Sequence, residues 1–191
     1  MKTYTLHIKN MVCQCCLRVV REELERAGVV VEEISLGRAV VRYDPANTSM
    51  EDIRAVLLNL GTDLVETRED RLVEEIKITV VELIHHMNNV DSIVRKSEYL
   101  VEKMGLSYAY LSRIFSAHEQ ITLERFIILH KIERIKELID QEELTLSEIA
   151  FIMDYSSVQY LSNQFRHITG MTVSEYKESD RSSKRPIDQL Y

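Results

Sequence analysis

The segment Tyr110-Leu111-Ser112-Arg113-Ile114-Phe115 decides the fold of this chain, because it returns fifty residues later as Tyr160-Leu161-Ser162-Asn163-Gln164-Phe165. The same offset relates four further identical positions, which are Ser97-Glu98 to Ser147-Glu148, Ser107 to Ser157 and Thr122 to Thr172. Background composition would give roughly one or two identities in a window of this size. The repeat therefore predicts two copies of one small helical unit.

Each copy has the pattern of a helix, a short turn and a second helix, which is the helix-turn-helix arrangement. In the first copy, Gly105 separates a helix at 96–103 from a helix at 108–118, and Ser107 caps the latter. In the second copy, Thr145-x-x-Glu148 is a capping box before a helix at 146–153, and Ser157 caps a helix at 158–169. A longer helix at about 123–140 links the copies, and a capping box at Thr172 opens a short last helix.

The second helix of each copy combines a buried apolar face with an outward face that is short, polar and free of acidic residues. Arginine pairs with guanine, and glutamine and asparagine pair with adenine, in the major groove of DNA. The linking helix spans roughly 27 Å, near the ~34 Å between successive major grooves. We therefore predict contacts with double-stranded DNA from Ser107, Ala109, Ser112 and Arg113, and from Ser157, Gln159, Ser162, Asn163 and Arg166.

Two segments resemble AraC/XylS-family regulators. The first is Leu100-x-x-x-Met104-Gly105-Leu106-Ser107-x-x-Tyr110-Leu111-Ser112-Arg113-Ile114-Phe115, and the second runs from Leu146-Ser147-Glu148-Ile149-Ala150 to Thr172-x-x-Glu175-Tyr176. The resemblance covers about residues 72–178 and implies sequence-specific DNA binding by two recognition helices of one monomer. Asp154, Asn163 and Val173 stand where the family usually has glycine, arginine and proline, and Lys131 and Ile135 where the linking helix usually has arginine and alanine. These departures imply weaker or more selective binding, or reliance on a homodimer.

The first 67 residues have a different periodicity. Alternation predicts strands at 3–9, 29–36 and 38–43 and a short strand at 63–66, whereas helical spacing predicts helices at 15–27 and after Ser49. The order βαββαβ is that of a ferredoxin-like α+β sandwich. The expected fold class is thus an α+β N-terminal domain, at 1–67, followed by an all-α double helix-turn-helix domain, at 71–179. A charged linker at 67–70 and a polar tail at 180–191 complete the expected organisation.

Three cysteines lie in the loop Met11-Val12-Cys13-Gln14-Cys15-Cys16, before the first predicted helix. A helix N-terminus favours thiolates, and two thiolates at Cys13 and Cys16 suit Cu(I). Zn(II) would need further ligands, from Cys15, a histidine or a second molecule. A redox switch through Cys15, or thiols without a role, are the alternatives.

The same loop resembles that of heavy-metal-associated (HMA) domains, where Met-x-Cys-x-x-Cys carries the metal ligands. The segments around Leu36-Gly37, Tyr43-Asp44-Pro45 and Leu60-Gly61 also resemble that family. Asn10 departs from it by replacing the usual glycine, and Cys15 adds a third thiol.

Composition limits the function further. The net charge is −7, and residues 71–179 carry 12 basic and 17 acidic side chains, so a basic surface for nonspecific nucleic-acid binding is not expected. No 18-residue apolar run or signal-peptide pattern is seen, which predicts a cytoplasmic protein without a membrane partner. No catalytic set is visible, so an enzyme is not expected. His7 and the pair His85-His86 are expected to be solvated.

Three hypotheses follow. The first is a transcription regulator whose N-terminal domain senses a soft metal or a thiol-reactive signal at Cys13 and Cys16. The second is a metal-delivery or redox module that carries a helical adaptor domain. The third is a DNA-binding regulator whose N-terminal domain only dimerises, and it predicts unchanged DNA binding after both cysteines are replaced.

Overall fold

A computed structural model of the chain describes residues 1–11, 14–86 and 96–179. Internal contacts divide the chain into two compact units, Met1–Ile78 and Thr79–Tyr191. Cys13 and the predicted polar tail at 180–191 lie outside the described residues. None of the described helices is long and apolar enough to cross a membrane.

The N-terminal unit is built on a four-stranded antiparallel sheet. Its elements are β1 (Lys2–Lys9), α1 (Gln14–Arg26), β2 (Val30–Ser35), β3 (Arg38–Tyr43), α2 (Met50–Asn59) and β4 (Asp63–Leu64). The strand order across the sheet is β2-β3-β1-β4, and every neighbouring pair is antiparallel. The α+β order agrees with the expectation. β4 is shorter than predicted, although Val65 still donates its N–H to the carbonyl of His7 at 2.8 Å.

One face of this sheet packs against α1 and α2. Leu6 and Ile8 of β1 share a buried core with residues of both helices, including Val20, Leu24, Ile53 and Leu57. Ser49 and Asp52 form a capping box that fixes the start of α2, since each side chain accepts the backbone N–H of the other residue. Val19 of α1 is 39% exposed, whereas its neighbour Val20 is buried.

The opposite face of the sheet lies against helix α3 (Arg68–Val81), whose N-terminal part belongs to the same unit. Residues 68–70 were expected in a linker but form the first turn of α3. The Thr67 hydroxyl accepts the N–H of Asp70 at 3.0 Å and so starts the helix there. His7 alternates with Leu6 and therefore points to this side. His7 is partly exposed rather than fully solvated, because α3 lies on this side of the sheet.

The C-terminal unit is helical throughout its described part. After a π-helical turn at Glu82–His86, it contains α4 (Lys96–Met104), α5 (Tyr108–His118), α6 (Leu123–Gln141), α7 (Leu146–Ile152), α8 (Val158–Thr169) and α9 (Val173–Glu178). These bounds agree with the predicted helices to within one residue. The capping boxes at Thr145 and Thr172 and the serine caps at 107 and 157 are all present.

A polar cluster lies inside this unit, where none was expected. His85 was expected in solvent, but its side chain is only 5% exposed. Its Nε2 lies 3.4 Å from Nδ1 of His130, a fully buried residue of α6. On its other side, Nδ1 lies 3.8 Å from Glu137, which also accepts from Arg134 at 2.7 Å. Burial lowers the pKa of His130 to about 3, so this imidazole is neutral at physiological pH.

Candidate nucleic-acid interface

Helix α5 presents the outward face of the first copy. The Ser107 hydroxyl accepts the N–H of Tyr110 at 3.3 Å, which fixes the start of the helix. Leu111, Ile114 and Phe115 are buried, and this burial turns Ala109 and Arg113 to the surface and leaves Ser112 half-buried. The Arg113 guanidinium lies over the Tyr110 ring, 5.3 Å from its centroid. This contact holds the guanidinium beside the first turn of the helix.

Helix α8 presents the corresponding face of the second copy. Ser157 caps it by accepting the N–H of Tyr160 at 3.1 Å. Gln159, Asn163 and Arg166 are exposed, and Ser162 is half-buried. Gln159 donates from Nε2 to Oδ1 of Asn163 at 3.3 Å, so two amides one helical turn apart are oriented together. A base edge in a major groove would meet a pair of amides rather than two independent side chains.

Each of these helices is anchored by an aromatic pair. Phe115 of α5 packs against Phe126 with 5.1 Å between ring centroids, and Phe165 of α8 packs against Tyr176 with 5.6 Å. All four rings are fully buried. The two pairs are related by the fifty-residue offset, so the repeat in the sequence is also a repeat in packing.

Helix α6 connects the copies and explains their spacing. It has 19 residues, so its length is roughly 28 Å at 1.5 Å per residue. Ten of its side chains are buried, including Ile132, Ile135 and Ile139. Buried residues recur along α6 from Leu123 to Ile139, so the helix packs against the unit along most of its length.

The charge on the two outward faces differs from that of the unit as a whole. Neither α5 nor α8 contains an acidic residue, although residues 71–179 are acidic overall. Arg113 on α5 and Arg166 on α8 are both exposed. The nine side chains predicted to contact DNA lie on these acid-free faces or at their N-caps. Their contact with DNA stays a prediction.

The thiol segment lies in the N-terminal unit. Cys15 is exposed on the first turn of α1, and Cys16 is half-buried against the core beside Met11, which is fully buried. Cys13 lies outside the described residues, so the pair Cys13 and Cys16 stays a prediction. Among the described residues, no group of three or more His, Cys, Asp or Glu is arranged to hold a metal ion. Thiol sulfur remains chemically suited to Cu(I) or Zn(II).

The loop before the cysteines is held by α3. Asn10, which stands where the HMA resemblance leads us to expect glycine, has a left-handed backbone with φ of 63°. Asparagine tolerates this conformation better than most residues. The N–H of Asn10 donates to Glu74 Oε2 at 3.0 Å, and Lys77 donates to Glu74 Oε1 at 2.9 Å.

Comparison with known proteins matches part of the C-terminal unit to a described domain. A family model described as a helix-turn-helix domain matches residues 100–179. The xylose operon regulatory proteins of Escherichia coli K12 and O157:H7 are 23% identical to the chain over 181 residues, which are 91% of this chain and 46% of theirs. These matches support a helix-turn-helix domain of the AraC type.

A further relative is the uncharacterized HTH-type transcriptional regulator YtdP of Bacillus subtilis. It is 24% identical over 125 residues, which are 63% of this chain and 15% of the relative. The chain thus spans about half the length, or less, of the curated relatives it matches. No solved structure matches it.

The turn of the second copy departs from the expected glycine at Asp154. This residue follows α7 and has φ of 56°, a left-handed conformation that explains why glycine is expected there. The Asp154 carbonyl accepts from Lys131 Nζ at 3.5 Å, and the same ammonium lies 4.1 Å from the centre of the Tyr155 ring. Lys131 of α6 therefore supports the turn in front of α8.

Proposed function

We propose that this chain is a sequence-specific DNA-binding transcription regulator whose helices α5 and α8 enter two successive major grooves. The observation that carries the proposal is that two N-capped helices of an acidic unit both expose faces free of acidic residues. A solvated helix in such a unit would be expected to carry carboxylates there. The names of the relatives, an operon regulatory protein and a transcriptional regulator, support the same function.

The outward side chains have distinct proposed roles. Arg113 pairs with the acceptors of a guanine, and the linked amides of Gln159 and Asn163 pair with adenine. Ser107 and Ser157 lie at helix N-termini, where backbone N–H groups attract a phosphate. Ala109, Ser112 and Ser162 are small and let the backbone approach the groove, and Arg166 contacts a second base or a phosphate.

The N-terminal unit is proposed to be a ferredoxin-like sensor. An antiparallel sheet of order β4-β1-β3-β2 with α1 and α2 on one face supports that fold. Cys13 and Cys16 are the proposed donors for a soft metal, Cu(I) or Zn(II), or the targets of a thiol-reactive signal. The signal would act by favouring one conformation of the regulator, since a ligand with equal affinity for two states shifts neither.

Footprinting on the DNA upstream of the regulator's own coding sequence tests this function. The wild-type chain, the double variant Cys13→Ser/Cys16→Ser and the control Cys15→Ser are compared with and without Cu(I) or Zn(II). We expect a protected site spanning about two helical turns, or about 20 base pairs, and a metal effect that only the double variant loses. Absence of protection under every condition would contradict DNA regulation, whereas identical protection would leave DNA binding and remove metal sensing.

A further inference from the structure

A cleft of about 180 Å³ lies between the sheet and α3 within the N-terminal unit. Its walls come from β1, the β2–β3 turn and α3, and they are formed by polar and apolar side chains together. The polar residues are His7, Ser35, Arg38, Arg71, Glu74 and Glu75, and the apolar ones are Leu36, Val65 and Ile78. A cleft of this volume admits only a small molecule.

Two arginines on different elements converge on His7. Arg38 lies directly opposite His7 in the register of β1 and β3, and Arg71 lies on α3. Burial lowers the pKa of His7, Arg71 and Arg38 lower it further, and Glu75 opposes them. Arg38, Arg71 and Glu75 therefore lie close enough to interact electrostatically with the imidazole. The neutral form of His7, which can donate and accept hydrogen bonds, is favoured.

Two acidic residues also line the cleft, and they differ in what they contact. Glu74 is buried and its carboxylate is already engaged by the N–H of Asn10 and by Lys77, at 3.0 and 2.9 Å. Glu75 is exposed and lies on α3 one turn after Arg71. The cleft therefore combines two guanidinium groups and a neutral imidazole with the engaged carboxylate of Glu74 and the exposed carboxylate of Glu75. Arg38 also lies 3.5 Å from Glu33, which is outside the cleft.

We propose that this cleft binds a small carboxylate, with Arg38 and Arg71 on its charged group and Leu36, Val65 and Ile78 against its carbon skeleton. Guanidinium groups match a planar carboxylate with paired N–H donors. The apolar wall adds contacts that a spherical or purely inorganic anion would not use. The lining of the site includes neither Cys15 nor Cys16, and its occupation does not depend on the proposed DNA binding.

Titration of the full chain with acetate, lactate and succinate tests the assignment. The readouts are heat of binding and the imidazole resonance of His7, identified by its loss in His7→Gln. Acetamide, lactamide and succinamide serve as neutral counterparts, and sodium chloride and inorganic phosphate as other anions. We expect saturable binding of at least one carboxylate with Kd of about 1 mM or lower, or −4 kcal/mol, and a shift of the His7 resonance.

Substitutions identify the groups responsible. Arg38→Gln and Arg71→Gln should each weaken binding by about 10-fold or more, which is the loss of one charge-assisted hydrogen bond. The matched control is Arg18→Gln, an α1 arginine that is 77% exposed and lies outside the cleft, and it should bind as the wild type does. Equal binding of amides or phosphate, or unchanged binding by both cleft variants, would overturn the assignment, as would no binding by any carboxylate.

Discussion

The two helix-turn-helix copies of the C-terminal unit share their packing and differ in their turns and outward faces. Leu111 and Leu161 are both fully buried, and the pairs Phe115–Phe126 and Phe165–Tyr176 anchor both second helices. Arg113 of the first copy, in contrast, corresponds to Asn163 of the second. The repeat therefore retains the residues that fold the unit, whereas the residues that would read DNA are free to differ.

The turns of the two copies differ in length and in the position of their left-handed residue. Three residues, 105–107, separate α4 from α5, and five, 153–157, separate α7 from α8. The left-handed residue is Gly105, two positions before the cap, in the first copy, and Asp154, three positions before the cap, in the second. The fifty-residue offset thus aligns the helices of the two copies but not the left-handed residues in their turns.

The largest expected effect is common to both copies. Phe115→Ala and Phe165→Ala should each lower the free energy of unfolding by about 3–5 kcal/mol, because each removes a fully buried ring. Chemical denaturation followed by circular dichroism measures the change. Gln120→Ala, at an exposed position between the helices, is the control and should change stability by less than about 0.5 kcal/mol. Losses that differ by more than twofold between the two phenylalanines would show that the copies are not equivalent in packing.

A second prediction separates the copies by DNA affinity. Arg113→Ala should weaken binding to the protected site by about 1–3 kcal/mol and relax preference at one base pair, as expected for a guanine contact. We expect the first copy, which keeps Arg113 and the glycine turn, to dominate base recognition and the second to steady the complex, so Arg166→Ala should cost less. Fluorescence anisotropy with the site and with single-base variants measures both.

The result for Asn163→Arg sharpens this comparison. Adding an arginine to α8 should strengthen binding, and it should also remove the amide pair with Gln159. If Arg166→Ala costs more than Arg113→Ala, the proposed order of the two copies is wrong. A uniform loss across all sequences for Arg113→Ala would make it a phosphate contact instead.

The helices and their caps were predictable because local residues determine them. Ser107, Ser157 and the capping boxes at Thr145 and Thr172 act within one turn of the chain. The covered face of the sheet was not predictable, since alternation at His7 indicates two faces but cannot show that α3 packs on one. His85 was misjudged for the same reason, because its partner His130 is 45 residues away. The roles of the outward residues depend on a partner molecule and remain predictions.

The third prediction concerns the pH dependence of stability, through a histidine near the first copy. The His130 ring lies 4.4 Å from Phe126, which packs on Phe115. Its pKa is lowered from 6.5 to about 3 on folding, so the unfolded chain binds more protons between these values. The contribution of His130 to the free energy of unfolding is therefore fully present well above pH 6.5. It is lost on acidification, by about 2 kcal/mol from pH 7 to pH 5.

Denaturation at several pH values measures this loss, and His130→Leu should remove most of it. Hydrogen exchange should show α5 opening before α8 as the pH falls. Glu137→Gln is the control. Burial raises the pKa of Glu137, but the hydrogen bond from Arg134 and the nearby His85 outweigh it and hold this pKa at about 2. The stability from Glu137 is lost only below about pH 4.5, so this variant should keep the slope between pH 7 and 5. A flat wild-type profile in that range would contradict the assignment to His130.

The smallest expected effect concerns the two left-handed residues. Asp154→Gly should stabilise the C-terminal unit by about 0.5 kcal/mol, because relief of the left-handed strain slightly exceeds the entropy that glycine adds to the unfolded chain. Gly105→Ala should destabilise it by about 1 kcal/mol, and the cause would be conformational, since no atom lies within 4 Å of the added Cβ. Thermal unfolding measures both variants. A destabilising Asp154→Gly would mean that the aspartate side chain itself supports the turn, and the second copy would then depend on a contact that the first copy does without.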